Sequence, residues 1–113
     1  MLVKKEESKQ IKIASDSYVW EYNFGIREIG IVKCRINGRY PDEGRKINKE
    51  SKEYYFVLSG RGKIYIEDEC FEIKEGDSLL IDNGKVFHVI GEELIAVCPT
   101  APGWFAEQEV LVK

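Results

Sequence analysis

The feature that most constrains this 113-residue chain is the rhythm of its apolar residues, which never keeps a helical period over ten positions. Short runs of β-branched and aromatic residues alternate instead with Gly, Asn and Asp, the chemistry of strands and turns. Gln10–Ala14 and Tyr18–Tyr22 read as strands. In Ile26–Ile36, Val32, Cys34 and Ile36 point one way and Lys33 and Arg35 the other. Glu53–Ser59 has a centre, Tyr54–Leu58, that is apolar on both faces, which predicts a strand covered on both sides. Gly60-Arg61-Gly62 reads as a turn, and Ile64, Ile66, Phe71 and Ile73 as the apolar positions of a hairpin around Asp68-Glu69. Ser78–Ile81, Val86–Ile90, Glu93–Cys98 and Gln108–Val112 complete the set, with Asp82-Asn83-Gly84 as a hairpin-type turn. About nine or ten short strands predict an all-β sandwich or barrel. Residues 1–10 read as a flexible polar arm and 11–113 as one barrel domain. Residues 38–52 lack any sustained apolar period and read as a long loop, with Arg39, Asp42, Glu43, Arg45 and Lys46 on a solvated face.

Charge and cysteine usage narrow the function. Lys and Arg number 17 against 20 Asp and Glu, a formal charge of −3, without the basic surplus of a nucleic-acid module. No apolar run approaches the roughly 18 residues of a spanning helix, and the N-terminus is too charged for a signal-peptide core. The expectation is a cytoplasmic protein with neither a nucleic-acid nor a membrane partner. Cys34, Cys70 and Cys98 form no C-x-x-C pair and read as buried free thiols. His88 is the single histidine, which excludes any mechanism needing several imidazoles from one chain.

The stretch Glu53–Glu92 resembles the cupin superfamily of small jelly-roll, or double-stranded β-helix, barrels. Glu53, six residues and Gly60 match the end of the first cupin motif, and Tyr55-Phe56-Val57-Leu58-Ser59-Gly60-Arg61-Gly62 is very like its strand and turn. In the second motif Gly76, five residues, Asp82 in place of Pro, and Asn83-Gly84 keep the spacing. The departures fall on the metal ligands. Where metal-dependent cupins carry two histidines before the Glu, this chain has Lys46 and Asn48, or Ile47 and Lys49 in the shorter register. The last ligand position falls on Phe87, with His88 one residue later. Of four ligands only Glu53 survives, so the resemblance implies a barrel with no metal and no other cofactor.

That resemblance implies a small-molecule ligand in the lumen, sugar-like or a carboxylate, bound by Glu53, Tyr55, Val57, Phe87 and Asn48. An alternative is a metal-independent sugar isomerase or epimerase, with Glu53, His88 and Tyr55 as the candidate catalytic residues. A third reading is a protein-interaction barrel with an aromatic-plugged lumen. By alternation His88 lies opposite Phe87, away from the lumen, and only a bulge near Lys85 turns it inward. Pro99 and Pro102 stop the ladder, after which Trp104-Phe105 can fold back as a plug or a dimer contact. Tyr54, Phe56 and Leu58 form an apolar row opposite Glu53, which points to a homodimer.

Overall fold

The computed structural model describes residues 1–113 and contains nine strands, all paired antiparallel, with only two three-residue 3-10 turns at Lys5–Glu7 and Ala106–Gln108. The strands are β1 (Lys9–Ala14), β2 (Ser17–Tyr22), β3 (Gly30–Tyr40), β4 (Arg45–Asn48), β5 (Lys52–Ile66), β6 (Glu69–Lys74), β7 (Ser78–Ile81), β8 (Val86–Ala101) and β9 (Glu109–Val112). They run in the order β1-β2-β3-β8-β4-β9, with β5 joining β6, β7 and β8. This curled sheet is the jelly-roll barrel that the strand rhythm and the motif resemblance predict.

Three long strands build the corners. β3, β5 and β8 are 11, 15 and 16 residues long and each passes from one face of the barrel to the other. Such a bend needs extra twist, and each strand carries an irregularity where it turns. β3 shifts register between Ile36 and Gly38, β5 around Ser59 and Arg61, and β8 holds Glu93 at φ 48°. At Gly60 φ is +72°, and a Cβ there would sit 1.9 Å from the Glu93 carbonyl oxygen. Only glycine lets the two corners pass.

The structure corrects several expectations. Gly60-Arg61-Gly62 is a bulged stretch inside β5 rather than a turn, and the two strands expected over 86–98 are one, with Pro99 inside it opposite Ile31. The expected loop 38–52 holds the end of β3 and all of β4, a strand too short to show a period. The 26–29 segment precedes β3 instead of starting it. In β5, Tyr54, Phe56 and Leu58 are 50%, 46% and 42% exposed, so only its inner face is covered.

Twelve buried residues fill the barrel, among them Cys34, Ile36, Tyr55, Val57, Ile64, Phe87, Leu94 and Cys98. Cys34 and Cys98 face each other with sulfurs 3.7 Å apart, whereas Cys70 is exposed on β6, so only two of the three thiols are buried.

Candidate functional site

One end of the lumen stays open as a cavity of about 300 Å³, at the lower end of the roughly 300–1,000 Å³ typical of small-molecule pockets. Its walls are Ile11, Ile13, Val19, Glu21, Val32, Tyr40, Lys46, Glu53, Thr100, Trp104 and Glu109. β1 to β3 supply an apolar wall. Glu21 of β2, Tyr40 of β3, Thr100 of β8 and residues of β4, β5 and β9 supply the polar groups, with Trp104 from the chain leaving β8.

Alternation along β4 sends Lys46 and Asn48 inward, and both are buried, Lys46 to 5% exposure. A buried ammonium needs partners. Lys46 Nζ donates to the Tyr40 hydroxyl at 2.7 Å and lies 3.5 Å from the Glu109 carboxylate. The rings of Tyr40, Trp104 and Phe87 surround it at 5.1, 5.6 and 5.7 Å from their centroids. Burial pulls the Lys46 pKa down, but the surrounding Tyr40, Glu53 and Glu109 outweigh it, and the net shift is upward. Lys46 is therefore a fixed cation at neutral pH. Burial likewise pushes Tyr40 up to about 12, so it keeps its phenolic proton.

Glu53, on β5, faces the same cavity. Burial raises its pKa, against the opposing pull of Lys46 and a hydrogen bond from Asn48. Asn48 Nδ2 donates to Glu53 Oε1 at 3.4 Å, and the Trp104 indole N–H donates to Asn48 Oδ1 at 3.1 Å. The backbone N–H of Trp104 donates to Thr100 Oγ1 at 3.2 Å. Gln108 and Ser51 anchor the segment carrying Trp104. The Gln108 side-chain oxygen accepts from the backbone of Glu50 and Ser51, and Ser51 Oγ donates to the Pro102 carbonyl.

Of the residues expected around a ligand, Glu53 lines the cavity and Asn48 stands behind it. Tyr55, Val57 and Phe87 lie in the packed core and are not among the cavity's walls. Burial raises the Tyr55 pKa well above its ordinary value, so it too stays protonated. His88 lies outside the lumen, as the alternation without a bulge predicts: its ring stacks on Tyr65 at 4.5 Å and its Nδ1 accepts from Arg45 Nε at 3.0 Å.

Lys46, expected on a solvated face, is corrected to a lumen residue, and Tyr40, Thr100, Trp104 and Glu109 were not among the sequence candidates. A signal for Lys46 did exist. It holds the first histidine position of the cupin motif, and in the structure Lys46, Asn48, Glu53 and Phe87 all turn inward, which selects the Lys46/Asn48 register. This donor set does not fit a divalent metal: an ammonium repels it, a phenyl ring offers no lone pair, and one carboxylate with one amide is too few. No three His, Cys, Asp or Glu side chains are grouped to hold an ion.

Comparison with known proteins agrees with the architecture. None of the curated proteins compared with the chain matches it significantly. The chain is similar to Pac13, described as a unique nucleoside dehydratase, at a TM-score of 0.89 and 19% identity over 100% of this chain and 91% of that one. A Streptomyces PAC13 variant with uridine superposes at 0.90 and 19% identity, covering 100% and 90%. KdgF from Halomonas sp. follows at 0.76 and 9% identity, covering 92% and 96%. At these identities the likeness is one of fold. A family profile, that of the cupin domain, matches residues 35–97, more than half of the sequence. The chain belongs to the cupin family.

Proposed function

We propose that the lumen is a metal-independent acid–base site acting on a small hydroxylated carbonyl compound. One observation carries this reading: Glu53 and Lys46 face one cavity, and each has its own partners. Lys46 is held by Tyr40 and Glu109, and Glu53 by Asn48, so a ligand can lie between base and cation. A cavity of this size also supports a ligand-binding lumen over one filled by aromatics.

The chemistry follows from those positions. Desolvation makes the Glu53 carboxylate a stronger base than one in water. It takes the proton from the carbon beside the carbonyl, and the C–H electron pair moves onto the carbonyl oxygen. The Lys46 ammonium stabilises that oxyanion, with the Tyr40 hydroxyl beside it. Tyr40 accepts from Lys46 and so keeps its own proton free to donate. The enolate then takes the proton back from Glu53 at carbon, which is isomerisation or epimerisation, or expels a β-hydroxyl that leaves as water with the proton Glu53 had taken, which is dehydration. The fold-level likeness to a nucleoside dehydratase favours dehydration.

The test is proton NMR in D2O with a panel of hydroxylated aldehydes and ketones. Wild-type protein is expected to wash out the proton beside the carbonyl, or to form the dehydrated product. Glu53→Gln and Lys46→Met, both checked for native circular dichroism, should each lose this by about a hundredfold or more, as loss of an acid–base or oxyanion group generally costs. Exchange equal in wild type and both variants would sink the reading.

A further inference from the structure

A second cavity of about 190 Å³ adjoins the first. The two share Glu21, Val32, Thr100 and Trp104 as walls, so the Trp104 indole stands between lumen and antechamber. Its tilt is set from the lumen side, by the hydrogen bond to Asn48. On the far side the walls are Tyr22, Phe24 and the 26–31 segment, where Ile26, Ile29 and Ile31 are exposed to between 38% and 54%. Three aromatic side chains and a run of isoleucines thus line a recess that opens from a polar, charged one. Apolar surface left exposed beside a polar pocket marks a place where a ligand's flat apolar portion can be covered.

Charge narrows the class further. Glu21 is the only charged residue on the antechamber, and the lumen adds Lys46, Glu53 and Glu109. Three carboxylates therefore face one ammonium, and that ammonium is already engaged by Glu109. Lys46 is the one cation on these walls, outnumbered by Glu21, Glu53 and Glu109, so a multiply charged anion meets net repulsion.

From this we infer that the antechamber is a subsite for a planar, uncharged ring, joined to the hydroxylated portion held in the lumen, and that the paired cavities reject phosphorylated forms of the same ligand. The inference rests on the acid–base reading only for what the lumen holds. It names the substrate class as an unphosphorylated ring-bearing glycoside whose sugar portion carries the carbonyl that the acid–base step needs, an oxidised nucleoside being the simplest case; uridine, which lacks that carbonyl, serves as the unreactive probe of the ring.

The experiment titrates the full chain with three probes: uridine, ribose and uridine monophosphate, read by ligand-observed NMR. Uridine is expected to bind about tenfold or more tightly than ribose, the scale of one base stacked on an aromatic side chain. Uridine monophosphate is expected to bind more weakly than uridine. Phe24→Ala and, at an exposed position that folding tolerates, Ile29→Asp should both erase the uridine advantage and leave ribose unchanged. Ribose matching uridine, including the case where neither binds, overturns the inference. So does tighter binding of the monophosphate, or a uridine advantage that survives both variants. The two readings fail separately. A wild type that exchanges protons without ring preference keeps the acid–base site and loses the subsite, and ring preference without exchange does the reverse.

Discussion

The Trp104 indole N–H donates to the Asn48 side-chain oxygen across 56 residues of sequence, and this contact ties the exit of β8 to the inner face of β4. Because Asn48 spends its oxygen on Trp104, its amide nitrogen is the atom turned toward Glu53. A single buried amide thus orients both the ring at the cavity boundary and the candidate base.

Replacing Asn48 by Leu removes both bonds and leaves the indole N–H without its partner. Losing the partner of a buried polar group costs on the order of 1–3 kcal/mol. Denaturant melts should place Asn48→Leu within that range below wild type, with Trp104 fluorescence altered before unfolding begins. An unchanged emission spectrum would show that Asn48 does not hold the ring.

Glu53→Gln should behave differently. The Glu53 pKa is raised in the folded state, so the stability it contributes is fully present below its unfolded value, about 4.3, and is lost as pH rises through the folded value. Near neutrality Gln therefore removes a desolvated charge while keeping the shape. Stability is expected within about 1 kcal/mol of wild type, in the range of tolerated substitutions, while lumen ligands bind more weakly. Wholesale unfolding of Glu53→Gln would make the residue structural.

These contrasts show what was legible beforehand. The β architecture was written in the alternation of Val32, Cys34 and Ile36 and in the motif spacing from Glu53 to Gly84. The corners were not, because Gly60 and Gly62 resemble turn residues and only the close approach of Glu93 reveals a bulged strand. A lysine in a polar stretch normally lies in solvent, so the sequence around Lys46 points to the surface. Its burial depends on Tyr40 and Glu109, which lie 6 residues before it and on the last strand. Tertiary pairing of that kind leaves no trace in the local polarity, and only the motif register, in which Lys46 holds the first histidine position, points inward. Trp104 was legible as a residue that folds back, but not as the boundary between two cavities.

His88 supplies a pH dependence that has nothing to do with the lumen. Partial burial, with Arg39 and Arg45 nearby, lowers its pKa below the ordinary 6.5. The unfolded state then binds the proton more readily, so stability falls as pH drops through about 6.5 toward the folded value. Protonation also sets a donor against the Arg45 Nε–H. Thermal melts from pH 7.5 to 5 should show a loss that His88→Gln flattens. An identical pH profile in the variant would assign the loss to other groups.

We propose that the outer face of β5 is a homodimer contact. Tyr54, Phe56 and Leu58 project there beside Leu80 of β7, which pairs with Tyr54, and all four are between 42% and 50% exposed. Clustered apolar side chains on a strand face of a soluble protein mark an association surface, and a two-fold axis lets one patch cover its own copy. Light scattering at about 100 μM, well above micromolar assembly constants, is expected to give twice the chain mass. Phe56→Glu should return it to the monomer with the fold retained. A monomeric wild type at that concentration would remove the proposal.

Metal content provides the last prediction. Affinity for a first-row divalent ion requires converging imidazole, thiolate or carboxylate donors. Around the lumen the candidates are Glu21, Glu53 and Glu109 with the Cys34–Cys98 thiol pair, and no three such side chains are grouped to hold an ion. Glu109 is turned to Lys46, whose ammonium stands at the first ligand position of the family motif. The thiols are packed in the core with each other, and burial raises the Cys98 pKa well above its usual value, so it resists forming the thiolate that a metal needs. Protein dialysed without chelator should therefore hold well under one equivalent of Fe, Mn, Ni, Zn or Cu by elemental analysis. Replacing Lys46 and Phe87 together by His restores two imidazoles beside Glu53 and should raise zinc or nickel uptake. A wild type that keeps a stoichiometric ion through dialysis, and loses it in Glu53→Ala, would mean that the lumen coordinates metal despite its lysine.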